Sequence, residues 1–331
     1  SDVENPLYLS SSPYIHSGET TDKVMRKVIY ALLPATALSI YFFGLPALSV
    51  LLICTLGCMG FEALSCKLMK KPIVLTDGSA ALTGILLALN MPPSSSWWLA
   101  LFGAAIAILI GKQVYGGLGY NPFNPALVAR VVLLISFPVQ MTSWTAPAPL
   151  GSGLDAVTAA TPLGEMKTAV MLTGKLPELA HSGFLDYLTG NMAGSLGEVS
   201  AIALLLGGLY LLFKRVISWH IPVAFIGTVL IIGGIFWAVS PDKYPNPLFH
   251  LLTGGLLLGA LFMATDMVTS PVTDKGMLIF GFGCGLLTVL IRLFGGYPEG
   301  VSFAILLMNA ATPLIDRFCH PKIYGQVEAK A

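Results

Sequence analysis

Repeated apolar runs constrain this chain more than any other feature. Of its 331 residues, 55% are hydrophobic and only 11% are charged, whereas soluble domains carry about 25% charged residues. Runs of about 18 or more apolar residues are long enough to cross the hydrocarbon core of a bilayer as helices. The sequence therefore predicts an all-α polytopic membrane protein embedded in the lipid bilayer. A net charge of +1 gives no reason to expect nucleic acid as a partner.

Ten apolar segments can be distinguished, and they predict ten transmembrane segments. They lie at residues 27–44, 46–66, 76–91, 97–115, 122–138, 198–213, 219–239, 247–265, 276–294 and 299–315. A long polar connection, 139–197, divides them into five and five. Several segments are short or interrupted by glycine, proline and polar residues, which predicts broken half-helices; the clearest interruption is Asn121–Pro125.

The two halves share short motifs in the same order. Leu82-Thr83-Gly84 recurs as Leu252-Thr253-Gly254, and the pair Gly116-Gly117 recurs as Gly295-Gly296. An odd number of spans in each repeat makes the second copy enter the membrane upside down, and ligand sites in such proteins lie where broken helices of the two repeats meet. The sequence therefore predicts two inverted five-span repeats.

The distribution of lysine and arginine predicts the orientation. If the N-terminus is cytoplasmic, thirteen basic residues lie on the cytoplasmic side: Lys23, Arg26, Lys27, Lys67, Lys70, Lys71, Lys112, Lys214, Arg215, Lys275, Arg317, Lys322 and Lys330. The opposite side holds only Lys167, Lys175 and Lys243, and this bias places both termini in the cytoplasm. The predicted division is a cytoplasmic segment 1–26, a first repeat 27–138, an extracytoplasmic loop 139–197, a second repeat 198–315 and a cytoplasmic tail 316–331.

Four ionisable residues lie in or beside the apolar segments. An ionised side chain at the centre of a membrane helix costs about 2.5–3.5 kcal/mol on insertion scales. Glu62 and Arg130 are therefore candidates for an ion pathway or cofactor contact, with helix pairing as the alternative. For Asp266 and Arg292 the same contact is conceivable, but both lie close enough to a predicted interface for snorkelling or for pairing near a helix end to explain them.

Cysteine spacing predicts no metal site. Cys54 and Cys58 are one helical turn apart in an apolar segment, which leaves a redox pair conceivable. Helix packing explains them better, because no further ligands follow at zinc or iron–sulfur spacing.

The long loop contains a small polar motif, Asp155-Ala156-Val157-Thr158-Ala159-Ala160-Thr161-Pro162. Such a stretch is poor core material and is often a turn, but it presents an open threonine hydroxyl. It also resembles the D-x-x-[S/T]-[G/A/S]-A-T signature at which flavin transferases attach FMN through a phosphoester to the last threonine. Thr161 is that threonine here, and Asp155, Thr158 and Ala160 occupy the other signature positions.

A second loop motif, Gly190–Glu198, is open to two interpretations. Glycines next to Asn and Ser expose backbone N–H groups, which favours phosphate contact at Ser195 and Gly197. Alternatively, the stretch is an ordinary turn in which Ser195 caps the next helix and Glu198 completes a capping box.

Ordered motifs along nearly the whole chain resemble one family, the RnfD membrane flavoproteins of the Rnf electron-transport complex. The matching stretches are Ser12–Ser17 (SPYIHS), Leu87–Pro93 (LALNMPP), Gly116–Ala126 (GGLGYNPFNPA), Ile135–Met141 (ISFPVQM), Thr269–Thr273 (TSPVT) and Gly295–Gly300 (GGYPEG). NqrB, a component of the sodium-pumping NADH:quinone reductase, is a related protein, but it usually has a longer N-terminal extension.

The resemblance implies a function. It implies an electron-carrying subunit of a ferredoxin:NAD oxidoreductase complex that moves Na⁺ or H⁺ across a bacterial or archaeal cytoplasmic membrane and does not turn over alone. FMN would be bound covalently to Thr161, and some members carry a second, non-covalent flavin, either riboflavin or FMN. The implied partners are the other Rnf-type subunits and a flavin transferase. Many members of the family have Gly or Ser where this chain has Ala159, which is a mild departure from the family's signature.

Three alternatives stay open. The chain resembles NqrB of the NADH:quinone reductase in its ten-span plan and flavin loop. A channel of the urea or ammonium type shares inverted five-span repeats, but it would need neither an acceptor threonine nor partner subunits. A scaffold subunit with a vestigial loop would assemble without flavin.

Overall fold

The structure is a computed structural model that describes residues 20–72, 75–149, 158–177, 184–198, 200–297 and 299–319. Within these ranges the chain is helical and contains no strand; Thr145 and Thr158 form an isolated β-bridge. In chain order the helices are α1 (Thr21–Leu68), α2 (Ser79–Leu89), α3 (Trp97–Ala105), α4 (Pro125–Ser136), α5 (Pro138–Met141), α6 (Pro162–Thr173), α7 (Phe184–Thr189), α8 (Ala201–Phe213), α9 (His220–Val239), α10 (Pro247–Leu252), α11 (Leu256–Leu258), α12 (Asp274–Phe294) and α13 (Val301–Phe318). Two π-helical stretches, Ile106–Gln113 and Gly259–Met263, continue α3 and α11.

Helix α1 is a hairpin of two arms. It breaks at Gly44, whose φ of 65° and ψ of −143° are outside the helical region and suit a residue without Cβ. In a straight helix Met25 and Glu62 would be roughly 55 Å apart. Instead, both lie beside the start of α2: a Cβ on Gly78 would be 3.6 Å from Met25, and Glu62 binds Lys112, which also binds Ser79. The two arms therefore run antiparallel and correspond to the first two predicted segments.

Helix length separates the apolar helices into two groups. Four are long and apolar enough to cross a membrane: Thr21–Leu68, His220–Val239, Asp274–Phe294 and Val301–Phe318. Four others, Ser79–Leu89, Trp97–Gln113, Pro125–Ser136 and Ala201–Phe213, are shorter and extend only roughly 16–26 Å, less than the hydrocarbon thickness of about 30 Å. The prediction of an all-α multi-pass membrane protein is thus confirmed, while ten crossing spans and their inversion stay predictions.

Helix breaks occur where glycine, proline and asparagine interrupt the apolar segments. Helix α10 ends at Leu252, Gly254 has a φ of +69°, and α11 begins at Leu256. Helix α4 begins after a turn, and its N-cap Asn124 accepts hydrogen bonds from the N–H groups of Ala126 and Leu127. The predicted interruption at 121–125 is therefore confirmed, and the asparagine replaces backbone partners lost at the break.

Helix α1 joins elements from both halves of the chain. It packs against α2 and α3 of the first half and against α8 of the second half. Gly84 of α2 permits close approach, since a Cβ there would lie 2.5 Å from Thr55 Cα. Small residues at helix contacts allow this tight packing in membranes. One apolar cluster consequently extends through both halves and holds the short helices in fixed positions.

Candidate flavin site

The described part of the predicted acceptor motif begins at Thr158. This exposed residue bridges to Thr145, and the N–H of Ala159 donates to the carbonyl oxygen of Trp144 at 3.0 Å. The segment leading to Thr161 is thus held along residues 144–145. Asp155, the first position of the motif, lies outside the described residues.

Thr161 is the N-cap of α6. Its backbone is extended (φ −72°, ψ 152°), and its Oγ1 accepts a hydrogen bond from the N–H of Gly164 at 3.0 Å. Pro162 occupies the first helical position, where its missing N–H costs nothing. Thr161 is only 3% exposed, so the expectation of an open threonine hydroxyl is wrong. Its hydroxyl oxygen therefore lies at the positive end of a 12-residue helix, a favourable position for a phosphate group.

Helix α6 is fixed to the rest of the protein at two places. The Lys167 ammonium donates to the carbonyl oxygens of Gly295 and Tyr297, the latter at 3.1 Å, and partial burial lowers the pKa of Lys167. On another face, α6 contributes to a small buried apolar cluster made of Leu163, Met166, Tyr187, Met192 and Phe249. These contacts set the position of Thr161 relative to α12 and α13.

A pocket of about 290 Å³ opens beside Thr161. It lies between α4, the segment after α5, the start of α6 and the turn before α13; its lining residues are Arg130, Leu134, Met141, Thr142, Trp144, Ala160, Thr161, Gly164, Thr168, Tyr297 and Glu299. Apolar and aromatic walls with a few polar groups are typical of cofactor sites. The pocket thus combines the Thr161 hydroxyl, two aromatic side chains and an Arg130–Glu299 ion pair, and a hydroxyl beside aromatic walls is what the predicted attachment of a flavin mononucleotide requires.

Arg130 connects this pocket to the membrane helices. It lies in α4 and is 5% exposed. Its Nη1 donates to Asn90 Oδ1 at 2.5 Å, and its Nη2 forms an ion pair with Glu299. From the sequence, Arg130 was a candidate for an ion pathway or cofactor contact and Thr161 for flavin attachment, with no link between them. In the structure both residues line one pocket. Glu299, Trp144 and Tyr297 were missed, because no local pattern shows that their segments converge.

The second loop motif, Gly190–Glu198, does not line the pocket at Thr161. Ser195 and Gly197 are buried; the Ser195 hydroxyl donates to Glu198 Oε1 at 2.9 Å, and the Gly197 N–H donates to the Leu89 carbonyl oxygen at 2.6 Å. Neither residue is among those lining the pocket at Thr161. Ser195 does not cap α8 either, because that helix begins at Ala201 with Ser200 as its N-cap. Phosphate contact at Ser195 and Gly197 stays a prediction.

Glu62 belongs to a different site, at the opposite end of α2. Its Oε1 accepts from Lys112 Nζ at 2.6 Å and from Gln113 at 3.2 Å, and Lys112 also donates to Ser79 at 2.7 Å. Counting Lys112 among the basic residues of the connections was wrong, since it is 1% exposed in a π-helical stretch. Without it, twelve of the thirteen cytoplasmic assignments remain. The sequence could have indicated this burial, because Lys112 lies inside the apolar segment 97–115.

A second, narrower cavity of about 100 Å³ adjoins Lys112. Its polar lining includes Thr83, Asn121, Asn124 and Asp266, whereas most of the remaining wall is aliphatic. Asp266 also accepts a hydrogen bond from Thr269 at 3.2 Å. This cavity and the pocket at Thr161 therefore lie toward opposite ends of α2.

Of the two explanations for Arg292, pairing near a helix end is confirmed and snorkelling to an interface is not. Arg292 is 1% exposed, and its Nη1 and Nη2 donate to the carbonyl oxygens of His250 and Thr253 at 2.6 and 3.0 Å. These carbonyls lie at the end of α10, where the helix leaves them without intrahelical partners. Arg292 thus stabilises the break between α10 and α11.

Comparison with known proteins places this architecture in a family. Residues 8–325 match the model of the NQR2, RnfD, RnfE family. The chain is 49% identical over 326 residues to the D subunit of the Na(+)-translocating ferredoxin:NAD(+) oxidoreductase complex of Acetobacterium woodii, with 98% of this chain and 97% of that protein covered. It is 46% identical to the D subunit of the ion-translocating oxidoreductase complex of Stutzerimonas stutzeri (93% of each) and 46% identical to the D subunit of the proton-translocating ferredoxin:NAD(+) oxidoreductase complex of Clostridium ljungdahlii (97% of each). The chain belongs to the NQR2, RnfD, RnfE family.

Proposed function

We propose that the chain is the electron-carrying membrane subunit of an ion-translocating ferredoxin:NAD oxidoreductase complex, with FMN attached through a phosphoester to Thr161. The observation that carries the proposal is the Thr161 hydroxyl, which lies on an aromatic-walled pocket and at the positive end of α6. Two similar proteins are named as D subunits of ferredoxin:NAD(+) oxidoreductase complexes, and a third is named as the D subunit of an ion-translocating oxidoreductase complex. These names support the proposal and favour it over an NqrB-like role.

Each part of the pocket has a role toward this cofactor. Thr161 tethers it, Trp144 and Tyr297 provide aromatic wall surface, and Arg130 supplies a positive charge. Bound FMN supplies the one- and two-electron chemistry, whereas the protein supplies tethering, orientation and electrostatics. A covalent bond suits a site facing the external compartment, because a freely dissociating flavin would be lost there.

The proposal includes the membrane arrangement. Ten spans form two inverted repeats, both termini are cytoplasmic, and the segment with Thr161 is extracytoplasmic. The antiparallel arms of α1 support the count of spans, and the twelve remaining cytoplasmic basic residues support the orientation. The other subunits of the complex bind this chain, and a flavin transferase modifies it. The transported ion is Na⁺ or H⁺, since similar proteins are named for one or the other.

The cavity beside Lys112 is the proposed site of the second, non-covalent flavin. Its aliphatic wall suits a ring system. The Asn121 amide and the Thr83 hydroxyl each donate to a backbone carbonyl, and their oxygens offer acceptors for ring N–H groups. Lys112 is the cation in the described lining and is paired with Glu62, while Asp266 is acidic. This balance favours riboflavin over FMN, because no uncommitted positive charge is found among the described residues of the lining to bind a phosphate. Its small volume requires side chains to move apart on binding.

Mass spectrometry tests the covalent assignment. The chain would be produced with its flavin transferase, digested and searched for an FMN adduct, with in-gel flavin fluorescence after denaturation as a second readout. We expect the adduct on the peptide that contains Thr161 and its loss in Thr161→Val. Covalent flavin retained by that variant would refute the assignment, and membrane insertion of both proteins is the control.

The second flavin is tested by what denaturation releases. Chromatography of the supernatant should identify riboflavin, and Leu86→Trp, which fills the cavity, should abolish its release while the adduct at Thr161 remains. Release of FMN instead of riboflavin would contradict the charge argument. Unchanged release from Leu86→Trp would place the second flavin elsewhere.

A further inference from the structure

We infer that Arg130 and Glu299 act as an opposed charge pair that sets the reduction potential of the flavin on Thr161. Arg130 raises the potential and Glu299 lowers it. This inference rests on the proposed function, since it requires a flavin at Thr161. It concerns how the pocket tunes that flavin rather than whether the flavin is present.

The first step is geometric. Arg130 comes from α4 and Glu299 from the turn before α13, and their side chains pair in the wall of the pocket that contains Thr161. The two side chains are only 6% and 12% exposed. Charges buried to this degree are little screened by salt, unlike charges in solvent. Any group that fills the pocket therefore experiences both of them.

The two charges have opposite effects on a flavin in this pocket. Among the described residues that line this pocket, Arg130 and Glu299 are the ones with a formal charge. An electron added to a flavin in this pocket adds one negative charge unless a proton accompanies it. The guanidinium stabilises that added charge and the carboxylate opposes it, and both effects are larger in a buried pocket than in water. The net change in the reduction potential depends on which of the two charges lies closer to the flavin ring.

The Arg130–Glu299 ion pair in the pocket wall is not explained by stability alone. A buried salt bridge often stabilises a protein less than apolar residues of the same size, because both ions lose hydration. Arg130 also interacts electrostatically with Glu198 behind it, and Glu198 interacts in turn with Arg292. Asn90 holds the other Nη of Arg130. A largely buried ion pair is thus a costly way to pack helices, but it places two opposite charges beside the proposed flavin.

The test measures reduction potentials of variants with opposite charge changes. Arg130→Met and Glu299→Gln would be purified with covalent FMN, quantified by in-gel fluorescence, and titrated with dithionite while flavin absorption is followed. Thr161→Val protein reports any contribution from non-covalent flavin, which is subtracted. We expect Arg130→Met to lower the potential and Glu299→Gln to raise it. Each should change the ratio of reduced to oxidised flavin at least tenfold at fixed ambient potential, which is about 30 mV for a two-electron couple.

Two matched controls remove the same charges at exposed positions. Lys175→Met and Asp186→Asn change charge on exposed residues of the same outer segment, where solvent and salt screen them, and they should leave the potential unchanged. Arg130→Lys keeps the charge and should retain most of the potential. If Arg130→Met does not fold, Arg130→Gln replaces it, because glutamine removes the charge but can still donate a hydrogen bond to Asn90.

The outcomes separate this inference from the proposed function. Shifts of the same sign in both variants, or shifts no larger than those of the controls, would overturn the role of the pair, because a structural defect has no reason to change sign with charge. Absence of covalent flavin from the unmodified chain would instead overturn the proposed function. If covalent flavin is present and the shifts have opposite signs, both stand.

Discussion

The Thr161 side chain caps a helix and has a proposed second role, and replacing it should disturb both. In the structure its oxygen is the proposed acceptor of FMN and also the N-cap of α6, with Gly164 N–H as donor. Thr161→Val removes the oxygen while keeping the shape. Loss of an N-cap costs typically about 1 kcal/mol, which corresponds to roughly fivefold more frequent opening of the first turn of α6.

Hydrogen exchange measures that opening directly. Unflavinylated chain, made without the transferase, would be compared with Thr161→Val and Thr161→Asn by mass spectrometry of peptides covering 162–173. Asparagine is a good N-cap but offers no hydroxyl for a phosphoester. We therefore expect faster exchange only in the valine variant, although neither variant can carry FMN.

One result would refute this reasoning. If the valine and asparagine variants exchange at the same rate as the unchanged chain, the cap does not hold α6, and its position depends on Lys167 and the apolar cluster alone. If both variants exchange faster, the asparagine side chain does not replace the threonine cap at this position, and the expected rescue by its oxygen is refuted. Exchange in α9 and α12 provides the internal reference and should be the same in all three proteins, because neither helix contains the substituted residue.

Three further predictions concern the contacts that hold the two ends of the bundle. Lys112→Met should leave the buried Glu62 carboxylate unpaired and lower stability by about 3–5 kcal/mol, measured by thermal unfolding in detergent; adding Glu62→Gln should restore much of the loss. Gly254→Ala should destabilise the folded protein by at least about 1–2 kcal/mol because of its φ of +69°. The new Cβ would also lie 2.7 Å from the Leu163 side chain. The control Gly255→Ala, with nothing within 4 Å of its Cβ, should be nearly neutral. Lys167→Met should release α6 from the turn before α13 and accelerate limited proteolysis of α6, with no change in cleavage elsewhere.

Local pattern predicted local structure well. Each of the ten apolar segments contains helix in the structure, because segment length and apolar composition are local properties. The break at Asn124 was predictable for the same reason, since proline and asparagine act on their own backbone. Helix length was predicted less well: several segments extend beyond the short helices they contain.

Long-range convergence was not predictable. Arg130 and Thr161 belong to different elements, and only the packing of α4, α6 and α13 brings them to one pocket. Lys112 and Arg292 show the same limit. A basic residue near the end of an apolar run is equally compatible with a solvated connection and with a buried partner, and the partners, Glu62 and the α10 carbonyls, are supplied by distant segments.

The single-residue break in α1 has a consequence for insertion of the chain into the bilayer. The tip between the arms, residues 41–46 (YFFGLP), contains no charged side chain, and Pro46 has no N–H that would need a partner. The Phe42 carbonyl oxygen at the tip accepts a hydrogen bond from Ala148 N–H at 2.9 Å. Carrying such a tip across the hydrocarbon core therefore requires no transfer of a polar loop, which is the costly step for most helix pairs. The two arms can enter together as one hairpin, and the direction of every later segment depends on the turn at Gly44.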